Sequence, residues 1–95
     1  MNTGVNEQVE NLEMVTLYPN PLSEEATLEF MLNEKAEMSI MMFNIEGKIV
    51  FSTQQAFDSG NNKVTIDATQ IPEGIYFTRI TTDKITKTIK TMVIK

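Results

Sequence analysis

The stretch ATLEFML, residues 26–32, decides the fold of this chain, because its apolar and polar residues alternate one by one. Successive side chains of a β-strand point to opposite faces, so the alternation predicts a strand with one face in a hydrophobic core. Residues 36–43 repeat the pattern, which predicts a second strand on the same core. The residues expected to face the core are Ala26, Leu28, Phe30, Leu32, Ala36, Met38, Ile40 and Met42.

Two apolar residues of the second predicted strand, Met41 and Phe43, interrupt the polar character of its outward face. A loop that covers them would explain their presence, since methionine commonly fills irregular gaps in packing. Alternatively, they form an exposed apolar patch that is available to a partner. The sequence leaves both explanations open.

Similar short runs recur along the rest of the chain, with turn-forming residues about every dozen positions, which is typical of an all-β sandwich. We therefore expect an immunoglobulin-like β-sandwich of about seven antiparallel strands. Residues 1–11 are polar and acidic without periodicity, which predicts a flexible acidic linker ahead of one domain at residues 12–95. The strands are predicted at residues 12–17, 26–32, 36–43, 48–53, 63–67, 75–81 and 86–94.

The turns between these strands have recognisable chemistry. The motif YPNP at residues 18–21 should end the first strand sharply, because proline cannot donate a ladder hydrogen bond. Asn44 should cap its own turn, and Gly47 should end it in a conformation with positive φ. Gly74 closes another turn, after which Tyr76 is expected to bury its ring and bond to the upstream backbone, as in the tyrosine corner of sandwich domains.

Composition argues against catalysis, since the 95 residues include no cysteine and no histidine. The chain thus lacks thiolate chemistry, the commonest general base and the commonest metal ligand, and we expect neither enzymatic activity nor a cofactor. Asp58, Asn61 and Asn62 lie beside Gly60 as in an oxygen-ligand loop. They do not provide the full series of ligands that calcium loops use, so no metal site is predicted.

The net charge of −5 is unevenly distributed along the chain. Residues 1–47 contain nine acidic residues and one basic residue, whereas residues 48–95 contain four acidic and seven basic residues. Early acidic strands beside late basic strands would gain cross-strand pairing. Alternatively, the basic terminal strand meets an acidic partner surface. Nucleic acid is not an expected partner, because the chain has no concentrated basic face.

No apolar run approaches the roughly 18 residues that span a bilayer, so we expect no membrane insertion. Residues 1–10 also lack the basic start and the apolar middle of a secretory signal. If the chain is exported, its export signal is expected on a longer precursor, upstream of residue 1.

The sequence ends on KTMVIK at residues 90–95, a lysine-flanked aliphatic segment with the character of a β-strand. With Pro-Asn-Pro at 19–21, Asn-x-x-Gly at 44–47 and Gly-Ile-Tyr at 74–76, it resembles the C-terminal sorting domain of type IX secretion cargo. The resemblance covers residues 17–95. The residues that carry it are Pro19, Asn20, Pro21, Asn44, Gly47, Gly74 and Tyr76, followed by Lys90, Thr91, Met92, Val93, Ile94 and Lys95.

That resemblance implies a secretion signal that directs a larger, N-terminal cargo protein through the type IX translocon to the cell surface or the medium. It also implies that a sortase-like peptidase of the outer membrane then removes the domain. Residues 90–95 are the expected contact with the translocon, and the upstream motif residues are expected to hold that segment in shape. Alternation places Val93 on one face and Met92 with Ile94 on the other, so the segment should be half core and half presented surface.

The alternative function is a non-catalytic β-sandwich module for adhesion or carbohydrate binding, because one fold can host many functions. The absence of tryptophan argues mildly against a sugar-binding platform. Gene context would separate the two functions, since a sorting domain must be the last domain of a longer exported chain, whereas an adhesion module can be internal.

Overall fold

The computed structural model describes residues 12–95, and the linker predicted for residues 1–11 lies outside them. Seven β-strands account for most of the described chain. They are β1 (Leu12–Tyr18), β2 (Glu25–Leu32), β3 (Ala36–Asn44), β4 (Ile49–Phe57), β5 (Gly60–Asp67), β6 (Gly74–Thr81) and β7 (Thr86–Val93). None of the described residues forms a helix long and apolar enough to cross a membrane.

The strands form two antiparallel sheets, one in the order β1-β2-β5 and the other in the order β4-β3-β6-β7. This arrangement confirms the predicted all-β class, the number of strands and their antiparallel pairing. In a constant-type immunoglobulin domain the fourth strand belongs to the same sheet as the first two. Here β4 instead stays paired with β3 as a hairpin, so the sheets contain three and four strands.

The largest errors in the predicted boundaries concern β4 and β5. β4 continues to Phe57 rather than ending at residue 53, because β3 is long enough to pair with it as far as Ala36. β5 begins at Gly60 rather than at residue 63, and its turn-forming residues Asn61 and Asn62 pair with β2. A partner strand can therefore override weak local β-propensity. β7 ends at Val93, one residue earlier than predicted.

The core lies between the sheets and is filled by the alternating residues of β2 and β3. The predicted core residues of these strands are all buried, from 0% exposure for Leu28 to 9% for Ala36. Phe30 packs edge-on against Phe57 of β4, with 5.1 Å between ring centroids. Ile80 of β6 is also fully buried, so strands from both sheets contribute to one hydrophobic cluster.

We expect Phe30→Ala to lower the free energy of unfolding by about 3–5 kcal/mol, because it leaves a large cavity and removes the contact with Phe57. Urea denaturation followed by circular dichroism measures this change. Met31→Ala is the matched control, since Met31 lies on the opposite face of the same strand and is only half-buried. Equal losses for the two variants would show that the core does not lie on the Phe30 face.

Candidate functional site

The terminal segment, residues 90–95, lies at one edge of the four-stranded sheet, where it forms the end of β7 and the two residues after it. Thr91 and Val93 point into the core and are 1% and 0% exposed. Met92 and Ile94 point outward and are 41% and 45% exposed, and Lys90 is exposed as well. The segment therefore has a buried face and a presented face, as its alternation predicts.

The segment Asn20–Leu22, which we call the clasp, runs along the outer edge of these residues. The Leu22 N–H donates to the carbonyl of Met92, and the Ile94 N–H donates to the Leu22 carbonyl, both at 2.9 Å. The Asn20 amide donates to the Lys90 carbonyl at 3.2 Å and accepts from the Met92 N–H at 3.3 Å. Backbone groups that an edge strand usually leaves open are thus paired between residues 90 and 94.

The clasp follows β1 directly. β1 ends at Tyr18, as the two prolines predict, and both the Tyr18–Pro19 and Asn20–Pro21 peptide bonds are cis. The Leu22 side chain is 1% exposed and anchors the clasp in the core. The chain then enters β2 and returns to the three-stranded sheet. The clasp therefore connects the first sheet to the edge of the second.

Lys95 is bound to the body of the domain through both its backbone and its side chain. Its ammonium group donates to the carbonyls of Ser23 and Ala68, each at 2.7 Å. Its backbone N–H donates to the Glu73 carboxylate at 3.0 Å. These contacts hold the last residue against two loops, so Lys95 has a structural role that Lys90 does not share.

A carboxylate close to Lys95 has a perturbed pKa. The backbone N–H of Thr69 donates to Asp67 at 3.0 Å and the Thr69 hydroxyl donates to it at 2.7 Å. These two bonds hold the pKa of Asp67 below its usual value, and the nearby Lys95 ammonium makes a smaller contribution in the same direction. The same two bonds connect Asp67, at the end of β5, to the loop that Lys95 contacts.

The Gly-Ile-Tyr motif lies beside the terminal segment, because β6 is the neighbour of β7. Tyr76 is 4% exposed, and its hydroxyl donates to the Pro72 carbonyl at 2.7 Å, which is the expected tyrosine corner. Gly74 has a φ of +155°, which other residues rarely adopt. It pairs with Val93, so this turn positions the end of the terminal strand.

The Asn-x-x-Gly hairpin forms as its sequence predicts. The Asn44 side-chain oxygen accepts from the backbone N–H groups of Glu46 at 2.9 Å and Lys48 at 2.8 Å. The Gly47 N–H donates to the Asn44 carbonyl at 2.9 Å, and Gly47 has a φ of +89°. Asparagine thus caps the turn, and glycine supplies the left-handed residue that the turn requires.

The motifs that are distant in sequence meet at one end of the four-stranded sheet. Asn44 of β3 lies opposite Tyr76 of β6, which in turn lies opposite Thr91 of β7. The clasp adds Asn20, whose side chain bonds to the backbone of the terminal segment across 70 positions of sequence. The structure therefore brings the motif residues together around residues 90–94, with Gly47 in the adjoining turn.

The outer face of the same sheet carries Met41 and Phe43, whose surroundings the sequence left open. Both are half-buried. The guanidinium carbon of Arg79 lies 4.9 Å from the centre of the Phe43 ring, and the Phe77 ring is tilted against it with 5.9 Å between centroids. Within residues 12–95, side chains of β6 rather than a loop thus give Phe43 its partial cover.

Some acidic residues of the first half of the chain lie beside basic residues of the second half. Glu29 of β2 lies opposite Lys63 of β5, and its pKa is lowered by hydrogen bonds from Asn61 and Tyr18, with a smaller effect of Lys63. Elsewhere, the Glu34 carboxylate lies 2.7 Å from the Lys84 ammonium and raises the pKa of that lysine. Acidic and basic elements are therefore paired here, as the first explanation predicts.

The remaining basic residues of β7 are arranged differently. Lys87 and Lys90 are exposed on a strand whose sheet neighbour, β6, carries the basic Arg79 and no acidic residue. Cross-strand pairing with an acidic strand thus does not account for them. The edge of the sheet next to the terminal segment is consequently basic.

Asn61 and Asn62, which the sequence places as in an oxygen-ligand loop, lie at the start of β5, and their side chains bond to neighbouring protein groups. The Asn62 amide donates to the carbonyls of Asp58 and Gly60, at 2.9 Å and 3.2 Å. The Asn61 amide donates to Glu29 at 2.8 Å. No group of three or more acidic, histidine or cysteine side chains that could hold a metal ion occurs within residues 12–95.

Leu22 and Glu73 contribute to the site but were not identified from the sequence. Leu22 is a lone apolar residue between a proline and a polar, acidic stretch. Leucine is among the residue types most often buried, and this preference is the only signal that the sequence offers for Leu22. Glu73 gave no comparable signal, because its partner is the backbone of a residue that is distant in sequence.

Comparison with known proteins identifies this arrangement. A search of curated proteins found no match. A family model described as "Secretion system C-terminal sorting domain" matches residues 16–95, which is most of the chain and includes the clasp, both turn motifs and the terminal segment. The chain belongs to the family of type IX secretion C-terminal sorting domains.

Proposed function

We propose that the domain is a folded address that the type IX translocon recognises through the presented face of the terminal segment. The observation that carries this proposal is the division of residues 90–95 between core and surface. Thr91 and Val93 complete the sandwich, whereas Lys90, Met92 and Ile94 are displayed on it. A translocon that reads the displayed side chains would accept the domain only in its folded form.

Side chains, rather than the backbone, are the contacts we propose for this segment. Strand addition requires free N–H and C=O groups at a sheet edge. The clasp already pairs the backbone of Lys90, Met92 and Ile94. A partner strand would first have to displace Leu22 from the core, whereas the presented side chains are accessible without any rearrangement.

The chemistry of the presented face indicates the kind of surface that would bind it. Met92 and Ile94 are apolar, and Ile75, which lies opposite Met92 on β6, is 38% exposed. Lys90 adds positive charge to this face, whereas Lys87, which pairs with the buried Ile80, lies on the inward-facing side of the strand. We propose a partner surface with an apolar centre and an acidic rim, since charge complementarity at a rim favours encounter and orientation.

The steps after recognition rest on family membership. We propose that a sortase-like peptidase of the outer membrane cleaves the chain ahead of the folded domain, so that the N-terminal cargo is released at the cell surface or into the medium. The adhesion alternative rests on the sandwich fold alone, which does not determine function. The family match therefore favours the sorting signal.

We expect Lys90→Glu to reduce export without unfolding the domain, because it reverses a charge on the presented face. A fluorescent protein with an export signal is fused ahead of residues 1–95 and expressed in a bacterium that has the type IX system, and periplasmic and surface fluorescence are compared. Lys35→Glu is the matched control, since Lys35 is an exposed residue of the β2–β3 turn. If both variants are exported like the parent chain, Lys90 is not a contact.

We expect Lys95→Met to lower the melting temperature by a few degrees, because it removes the ammonium group that bonds to the Ser23 and Ala68 carbonyls. Lys90→Met is the matched control and should leave the melting temperature unchanged, as exposed surface charges contribute little to folding. Thermal unfolding followed by circular dichroism measures both. A larger loss for Lys90→Met would reverse the roles assigned to the two lysines.

A further inference from the structure

The two sheets have four edge strands, and three of them are protected against pairing with another chain. The clasp covers the end of β7 and Lys87 lies in its first half, β5 has Lys63 near its middle, and the pairing of β1 is interrupted by a register shift between Glu13 and Thr16. Natural proteins use such covers, charges and irregularities to block exposed edges. β4 also has a register shift, at Val50, but its remaining residues 51–57 contain no charge, proline or glycine and pair with β3 without interruption.

We propose that the β4 edge docks a second copy of this chain, whose own β4 pairs with it in antiparallel orientation. Within the described residues, β4 is paired with β3 alone, so its other edge is free. The regular part of the strand is FSTQQAF, residues 51–57. This inference goes beyond the sorting function and does not depend on it.

The sequence of this edge is complementary to itself. Its seven residues have nearly symmetrical chemical character about Gln54, with an aromatic residue at each end, a small residue inside each end and polar residues in the centre. If two copies pair in antiparallel orientation with the two-fold axis at Gln54, residues of similar chemical character lie opposite each other. The opposed pairs are Phe51–Phe57, Ser52–Ala56, Thr53–Gln55 and Gln54–Gln54.

This pairing buries apolar surface that one copy leaves partly exposed. Phe51 and Phe57 are half-buried and pack against the core from the edge of the sheet. In the paired strands each of these rings lies opposite its counterpart in the other copy, and aromatic cross-strand pairs are stabilising. Self-pairing is therefore favoured by the side chains as well as by the backbone.

The charges of β4 and its flanking residues also favour a second copy of the chain as the partner at this edge. Like charges directly opposite each other destabilise a strand pair, and residues 51–57 have none to oppose. Lys48 precedes β4 and Asp58 follows it. In the antiparallel arrangement Lys48 of one copy and Asp58 of the other lie at the same end without facing each other directly, so each end of the strand pair carries one charge of each sign. Two-fold symmetry uses both β4 edges, which gives a closed dimer rather than a fibre.

Sedimentation equilibrium of the full 95-residue chain tests the proposal, with the dimer dissociation constant as the readout. We expect a concentration-dependent dimer, and Gln54→Lys should weaken it by about tenfold, because it places two lysines opposite each other on the axis. Thr65→Lys adds the same charge to an exposed position of the β5 edge and should leave the constant unchanged. Melting temperatures measured alongside show whether each variant is folded.

Cross-linking gives a second readout that does not require a charge on β4. The chain contains no cysteine, so each single-cysteine variant reports on one position. Gln54→Cys places the two thiols beside each other on the axis, and it should form an intermolecular disulfide faster than Thr65→Cys. A chain that stays monomeric at about 1 mM, equal effects of the two lysine variants, or equal rates of cross-linking would overturn the proposal. In the monomeric case the edge is open to an extended segment of another protein.

Discussion

Each strand of this sandwich must bury one face and leave the other in solvent, and the rest of the structure depends on this constraint. It is met most fully in β2 and β3, whose alternating side chains fill the space between the sheets. The terminal strand is subject to the same constraint. Its inward residues Thr91 and Val93 belong to the core, so its outward residues are held in fixed positions on the surface. The alternation of apolar and polar residues in the terminal strand thus both completes the core and fixes which side chains are exposed.

The sequence predicted the features that depend on local pattern. The alternation of residues 26–32 and 36–43 gave the core, the Asn44–Gly47 turn formed as expected, and Tyr76 bonds to Pro72. The strand ends were less predictable where local propensity and partner length disagree, as at Gln55 and Asn61. Turn-forming and amide residues there are recruited into strands because the opposite strand offers them pairing.

Contacts between residues that are far apart in the sequence could not be predicted from the sequence alone. Nothing in residues 19–21 indicates that Asn20 bonds to Lys90 and Met92, because that contact exists only after both sheets have formed. For the same reason the sequence did not distinguish Lys90 from Lys95. Two lysines that flank one aliphatic segment have different roles, because one is displayed and the other reaches backbone carbonyls in two loops.

The clasp also has a consequence for the order of events during synthesis. It joins positions about 70 residues apart, so an early segment has no partner until almost all of these residues have left the ribosome. Contacts of such long sequence separation form late and slowly. A product that stops before residue 90 would leave Asn20 and Leu22 without their partners on β7 and the core without Thr91 and Val93. Prematurely terminated chains would therefore lack both a closed sandwich and the displayed segment on which the proposed recognition depends.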